Sequence, residues 1–459
     1  MASTDNGGAS ERDVFRVASV AGIAAGIEYY DFFIYGLAAA LVFPAVIFPE
    51  QSPVTAALLS FATFGIGFLA RPLGGVIFGH FGDVVGRKKT LVTALVLMGV
   101  ASTTIGLLPS FAAIGVAAPI LLVLFRFAQG IAIGGQQGGV VLLAVEAAPP
   151  HRRGFFGSFA SLGAPVGVLL ANGIFLSVTA VLSREALLSW GWRVPFLFSL
   201  ALVVLAIYIH LKLEDTPAFQ KLQSSNADGG PVQRQRSPIL TALTTYPREI
   251  ALTSGTYLGI NLAYYIFITY LIAYGTDSRH LGLPHGTLIG AVLIGSVGQI
   301  VFLPLAGAIS DRFGRQRIMM VGAAGLAVVV FPFWIMVDTG SFWLISLAML
   351  IGLGVFQSLV YGVQPAYFSE IFPTEIRYSG LSLGMQIGSI LGGAFAPVIA
   401  TALISRFSST SIAIYMSAAS LITLFSVWRL GETRPAVAES ALRLVPDRAD
   451  DSSASNQRS

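Results

Sequence analysis

Apolar segments long enough to cross a lipid bilayer recur about every 30 residues along most of this 459-residue chain. That recurrence leaves few folds open. A spanning helix needs ~20 apolar residues, and with no water in the bilayer core its backbone must satisfy its own hydrogen bonds. Helices are expected near 17–42, 55–79, 90–108, 118–145, 155–181, 194–212, 250–275, 286–309, 318–337, 342–368, 378–402 and 411–430. Composition agrees: 55% of residues are hydrophobic and only 11% charged, against about 25% charged in soluble domains. A water-soluble enzyme is thereby excluded. A disulfide scaffold is excluded too, because the chain has no cysteine. Fifty Gly and 22 Pro suit membrane helices, where small residues let backbones approach.

The polar stretches divide the chain. Residues 1–14 read as a disordered N-terminus without signal-peptide character. Residues 15–213 form one six-helix half, 214–249 a polar linker, 250–432 a second half and 433–459 a polar tail without heptads. Basic residues concentrate in alternate loops, with Arg87, Lys88 and Lys89, then Arg152 and Arg153, then Arg312, Arg315 and Arg317. The loops between hold only Arg184, Arg279 and Arg406. This asymmetry puts both termini in the cytoplasm, and it explains the net charge of +4 without nucleic acid. The halves also repeat. Gly79, Asp83, Gly86 and Arg87 recur as Gly307, Asp311, Gly314 and Arg315; Glu146 and Pro149 recur as Glu370 and Pro373; Glu214 and Pro217 recur as Glu432 and Pro435. The offsets are 228, 224 and 218 residues. Two parallel repeats imply a pseudo-two-fold axis along the membrane normal, with a binding site between the halves.

These strings resemble a known family. Gly79, Asp83, Gly86, Arg87 and Lys88 match the signature that follows the second helix of major facilitator superfamily transporters. Glu28-Tyr-Tyr-Asp31-Phe-Phe, Arg71-Pro-Leu-Gly-Gly75, Arg126-Phe-Ala-Gln129-Gly130, Gly134-Gly-Gln136-Gln137-Gly-Gly139 and Gly191-Trp-Arg193-Val-Pro195-Phe narrow the resemblance to its metabolite:proton symporter family of bacterial plasma-membrane carriers. The match runs from about Phe15 to Pro435. It implies an all-α membrane protein of twelve transmembrane helices in two six-helix repeats, working as a monomer. Members carry carboxylates such as dicarboxylates, 2-oxoglutarate, shikimate and aromatic acids, or proline and betaine. Gln136 departs from the pattern, which usually has an acid there, and no coupling role is carried over to that position.

Charges within spans cost ~2.5–3.5 kcal/mol each on insertion scales and are functional candidates by default. Four stand at depth, all in the first half: Glu28, Asp31, Arg71 and Arg126. Glu28, Asp31 and Tyr35 share one helical face. A carboxylate beside a guanidinium stays ionised and takes a proton when the cation is drawn away. Asp31 with Arg126 looks like the helix 1–helix 4 pair of the superfamily's sugar porters, so Asp31, Glu28 and Arg126 are the expected proton-coupling residues; the plainer alternative is a static ion pair. Arg71 or Arg126 could instead clasp a substrate carboxylate through its bidentate fork, with Tyr35, Gln129 and Gln137 nearby. The second half offers neutral groups: Asn261, Tyr264, Tyr265 and Thr269 on one stripe, and Gln357, Tyr361 and Gln364 on another. Lone Gln299 and Gln386 are expected to bond between helices, and Gly22 and Gly26 to serve packing.

The loop motifs read as gates. Asp83 can cap a facing helix N-terminus and Arg87 can clasp a carboxylate such as Glu146; Gly79 and Gly86 accompany them, and Asp311 with Arg315 forms the weaker copy. No histidine spacing suggests a metal, no nucleotide loop suggests ATP, and no catalytic constellation suggests an enzyme. The expected cofactor set is empty, with the proton as coupling ion. The expected function is proton-coupled import of a small carboxylated metabolite, an organic anion. An osmolyte symporter and an uncoupled facilitator or antiporter of the same fold are the alternatives.

Overall fold

A computed structural model describes residues 11–85, 87–134, 137–146, 148–212, 238–373 and 376–433. Gly86 and Gln136 lie outside the described residues, and the side chains at Glu28, Gly79, Asp83, Arg87 and Gln137 lie outside the described side chains. Twelve long helices account for nearly all of what is described. They are α1 (Glu11–Leu41), α2 (Pro53–Val85), α3 (Arg87–Gly106), α4 (Ala117–Gly134 continued by Gln137–Glu146), α5 (Arg153–Val181) and α6 (Arg193–Lys212). The second half has α7 (Pro247–Thr276), α8 (His285–Phe313), α9 (Arg315–Asp338), α10 (Phe342–Ile371), α11 (Arg377–Ile404) and α12 (Ser409–Leu430). Among the described residues helix α1 already runs from Glu11, inside the stretch read as disordered. A short helix, Pro238–Thr245, lies in the stretch read as linker.

Close backbone approaches show the repeat in three dimensions. In the first half α1 lies on α5, where a Cβ at Gly22 would stand 2.8 Å from the Phe159 carbonyl oxygen. Its counterpart is α7 on α11, with Gly392 against Leu258. Helix α2 lies on α4 through Gly74 against the Ile131 carbonyl and Gly134 against the Arg71 carbonyl; the counterpart is α8 on α10 through Gly298. The halves meet along α5–α8 and α2–α11, and advancing both numbers by six exchanges the two seams. That exchange is the pseudo-two-fold.

Contacts close the seams at both ends. At the end bearing the loop motifs, Asp311 accepts hydrogen bonds from the N–H groups of Gly154 (2.9 Å) and Phe155 (2.8 Å), capping α5 from the opposite half. Arg315 pairs with Asp311 (2.6 Å) and Glu370 (3.5 Å), and Glu432 accepts from the Arg315 N–H (2.9 Å). Glu146, expected opposite Arg87, lies 3.5 Å from Arg377 of the other half. At the far end, Gly36 of α1 abuts Thr269 of α7, and Gly65 of α2 abuts the Ala394 carbonyl of α11.

Three helices of the second half change winding near mid-length. Ile266–Tyr270, Leu350–Gln357 and Ile390–Ala394 form i→i+5 turns within α7, α10 and α11. Such bulges rotate the side chains on either side relative to a continuous α-helix. Tyr265, Gln357 and Ser389 sit at these junctions, and all three belong to the site.

Candidate functional site

Between the halves lie two chambers that share part of one wall. The first, about 320 Å³ with its open mouth, presents polar groups from Asn261, Tyr257, Tyr264, Tyr265 and Gln357. The second, about 660 Å³ with its open mouth, extends toward the loop-motif end among Ile133, Val141, Phe368 and Met385. Tyr29, Arg71 and Tyr361 line both. The Tyr29 and Tyr361 hydroxyls are 3.4 Å apart and join α1 to α10 across the partition.

Arg71 is the one cation in either wall among the described residues. Its guanidinium donates from Nη1 to Ser389 Oγ of the opposite half at 3.0 Å. It also rests on the rings of Phe68 (4.4 Å) and Phe32 (4.5 Å). Desolvated cation–π contacts of this kind are worth about 2 kcal/mol each, but rings and a hydroxyl carry no counter-charge. Among the described residues no carboxylate pairs with Arg71, and its fork has the geometry to take one.

Arg126 does not share this position. Fully buried, it lies behind Phe32, its guanidinium 4.2 Å from that ring's centre, 4.1 Å from the Tyr35 ring and 5.0 Å from the Phe64 ring. Phe32 thus separates two guanidinium groups. Room for Arg126 comes from Gly67, where a Cβ would stand 2.6 Å from its Nε. Arg126 Nη1 donates to Gln129 Oε1 (3.0 Å), and Gln129 Nε2 donates to Ser102 Oγ (2.7 Å). Asp31 is buried beside Ser102 and Ser199. Among the described residues it forms no ion pair with Arg126 within 4.0 Å, and the Ser102 and Ser199 hydroxyls are its polar neighbours. The expected direct pair is therefore replaced by an indirect arrangement, Arg126–Gln129–Ser102, with Asp31 next in line.

Several expected ligands take other places. Arg126, Tyr35 and Gln129 line neither chamber. Tyr35 roofs Arg126 and donates to Thr63 Oγ1 at 2.8 Å, while Gln129 is spent on the bridge to Ser102. Thr269 packs on Gly36 at the far seam. Gln357 reaches the polar chamber, but its Oε1 accepts from Gln299 Nε2 at 2.5 Å, the interhelical bond expected of Gln299. Asn261, Tyr264, Tyr265, Tyr361 and Arg71 do converge. Tyr29 and Tyr257 complete the polar wall and Ser389 holds Arg71 from behind it, three residues that no sequence pattern marks. Tyr29 lies between Glu28 and Asp31 in the sequence, and only its packing sets it in the chamber wall.

Two family models match the chain: one described as "Sugar (and other) transporter" over residues 17–235, the other as "Major Facilitator Superfamily" over 278–451. The inner membrane metabolite transport protein YhjE of Escherichia coli (strain K12) is 40% identical over 428 residues, covering 93% of this chain and 95% of that protein. The shikimate transporter of the same organism is 38% identical over 414 residues, covering 89% of this chain and 93% of its own. Among solved structures, the proton:xylose symporter XylE superposes with a TM-score of 0.72 at 18% identity, over 93% of this chain and 97% of that one. At that identity the likeness is one of fold.

Proposed function

Since the chain belongs to the major facilitator superfamily, as a multi-pass membrane transporter of metabolites and not an enzyme, we propose that it carries a small monoanionic carboxylate together with a proton across the bacterial plasma membrane, both termini facing the cytoplasm. The observation that supports the anion is Arg71, which lies in the chamber wall, bridges the halves through Ser389 and is ringed by neutral hydroxyl and amide groups. A carboxylate on this fork neutralises it and gives both halves a common ligand. Asn261 and the tyrosine hydroxyls suit further hydroxyl groups on the same molecule.

The proton is assigned to Asp31. Ionising a buried carboxylate is costly unless a cation reaches it. Arg126 lies one Gln129–Ser102 bridge away. Closing that gap lets Asp31 release its proton, and restoring it favours uptake. Phe32 touches both guanidinium groups, so a carboxylate that draws Arg71 also shifts the ring against which Arg126 rests. Alternating access exchanges the latch at Asp311 for the contacts at Gly36 and Gly65. The carrier works as a monomer, with the proton as coupling ion.

A second reading, a zwitterionic osmolyte, has one observation in its favour. Tyr29, Tyr257, Tyr264, Tyr265 and Tyr361 surround the polar chamber, and aromatic faces can hold a quaternary ammonium. Uptake into proteoliposomes separates the two. Labelled shikimate, 2-oxoglutarate, citrate, benzoate and betaine are offered under a pH gradient or a membrane potential. A monoanion with one proton moves no net charge, so it follows the pH gradient at about 1.4 kcal/mol per unit and ignores voltage. A zwitterion with one proton gains about 2.3 kcal/mol per 100 mV. Acid accumulation driven by pH, abolished in Asp31→Asn while counterflow exchange persists, is the expected result. Voltage-driven betaine uptake supports the osmolyte instead, and uptake that neither gradient concentrates sinks the coupling.

A further inference from the structure

The apolar chamber has no part in the reading above, yet it has the makings of a second site. Its wall is hydrocarbon, from Ile133, Val141, Ala160, Phe368 and Met385. Its polar groups are few and mostly committed. Ser161 donates to the Tyr361 carbonyl at 2.8 Å, and the Tyr29 and Tyr361 hydroxyls face each other. Two groups are left over. Gln364, 2% exposed, lines the chamber and has an amide nitrogen with no hydrogen-bond partner. Arg71 forms the polar end, its Nε equally without one. A buried donor left unpaired costs about 1–3 kcal/mol, so both groups favour an acceptor brought in by a ligand. Apolar walls around a guanidinium and a spare amide suit a carboxylate on an aromatic or branched hydrocarbon body. The polar chamber on the other side of the Tyr29–Tyr361 partition suits a carboxylate on a hydroxylated body.

We propose that Arg71 serves two alternative subsites. Polyhydroxylated carboxylates occupy the Asn261 chamber, while aromatic monocarboxylates occupy the Met385 chamber, with Gln364 as their second polar contact. The proposal rests on the anion reading of Arg71. One guanidinium cannot clasp both carboxylates at once, so the two ligand classes exclude each other although their bodies lie in different chambers. An aromatic acid bound there also wedges the loop-motif side of Tyr361 and acts as a competitive inhibitor whose contacts are not those of the transported molecule.

The test is calorimetric binding of shikimate and of benzoate to the purified full chain, each alone and in the presence of the other. The wild type is expected to bind both, with each raising the apparent Kd of the other without a ceiling. Met385→Trp, or Ala160→Leu if the first does not fold, fills the apolar chamber. Either should weaken benzoate at least tenfold and leave shikimate within twofold. Asn261→Leu should do the reverse. If every variant shifts both ligands together, there is one subsite and the proposal fails while the anion reading stands. Simultaneous binding of both acids, or a benzoate Kd indifferent to filling, also overturns it. If Arg71→Gln binds both acids like the wild type, or the wild type binds neither, the anion reading falls and takes the two subsites with it.

Discussion

Phe32 is a hydrocarbon residue in a family of charges, and its position decides what each charge can do. With Arg71 on one side and Arg126 on the other, it screens Arg126 from the chamber and leaves Arg71 in the wall. Arg71 itself uses shape as well as charge: one arm of its fork reaches Ser389, and its plane lies against Phe32 and Phe68. A lysine would keep the charge and lose the fork and the stacking. Arg71→Lys is therefore expected to raise KM for the carried acid about tenfold or more, equivalent to ~1.4 kcal/mol or more, with protein yield unchanged. Initial-rate uptake measures it, and a KM within twofold of wild type would show that a point charge suffices. The sequence marked Arg71 and Arg126 as equals, because each is a lone guanidinium in an apolar helix. It carried no sign of which one Phe32 would face toward the chamber.

Helices α2 and α4 hold those two arginines at their distance, and glycine sets the distance. At Gly134 and Gly74 the neighbour is main chain, the Arg71 and Ile131 carbonyls, and neither can move aside. At Gly67 the neighbour is the end of the Arg126 side chain, which can. The two positions should fail differently. Gly134→Ala forces the helices apart, and overpacking of this sort costs about 1–3 kcal/mol; the thermal midpoint in detergent should drop clearly. Gly67→Ala should leave the midpoint nearly in place and displace Arg126, so pH-gradient accumulation falls while counterflow exchange continues. Equal midpoints for the two variants would mean that the α2–α4 seam is not the spacer. The winding changes in α7, α10 and α11 act on the other side of the site. They flank Tyr265 and Gln357 in the polar chamber and Ser389 behind Arg71; stripes drawn at a regular helical period name Asn261, Tyr264, Tyr265, Gln357, Tyr361 and Gln364, which line the chambers, but also Thr269, which packs at the far seam.

Across the whole molecule the two halves are joined at both ends, a latch of charges at one and bare glycine contacts at the other. A carrier that rocks must open one end while the other stays shut. The absence of cysteine makes this testable with a single engineered pair. A Cβ at Gly36 would stand 3.0 Å from Thr269 Oγ1, a separation compatible with the ~3.5–4.5 Å between the β-carbons of a disulfide after a small adjustment. In the double variant Gly36→Cys with Thr269→Cys, oxidation should stop transport and reduction restore it. Undiminished transport by fully cross-linked protein would rule out opening at that seam. At the loop-motif end, Asp311, expected as the weaker copy of Asp83, caps α5 across the interface.

The solvent, the number of helices, the duplication and the burial of Asp31, Arg71 and Arg126 are all legible in the chain. Each is a property of one segment, or of two segments compared: length, hydropathy, spacing and recurrence. Which faces look inward is settled by packing between helices. In a soluble protein the polar side of a helix declares the surface, but here lipid and core are both apolar, so the rotation of each helix leaves little trace in its pattern. That rotation is set by backbone contact at Gly22, Gly74 and Gly134 and by the winding changes in the second half, and those depend on partners far along the chain. The same physics separates the arginines. Their cost of burial is legible from position, but their company of rings, Gln129 and Ser389 comes from four helices meeting at one level.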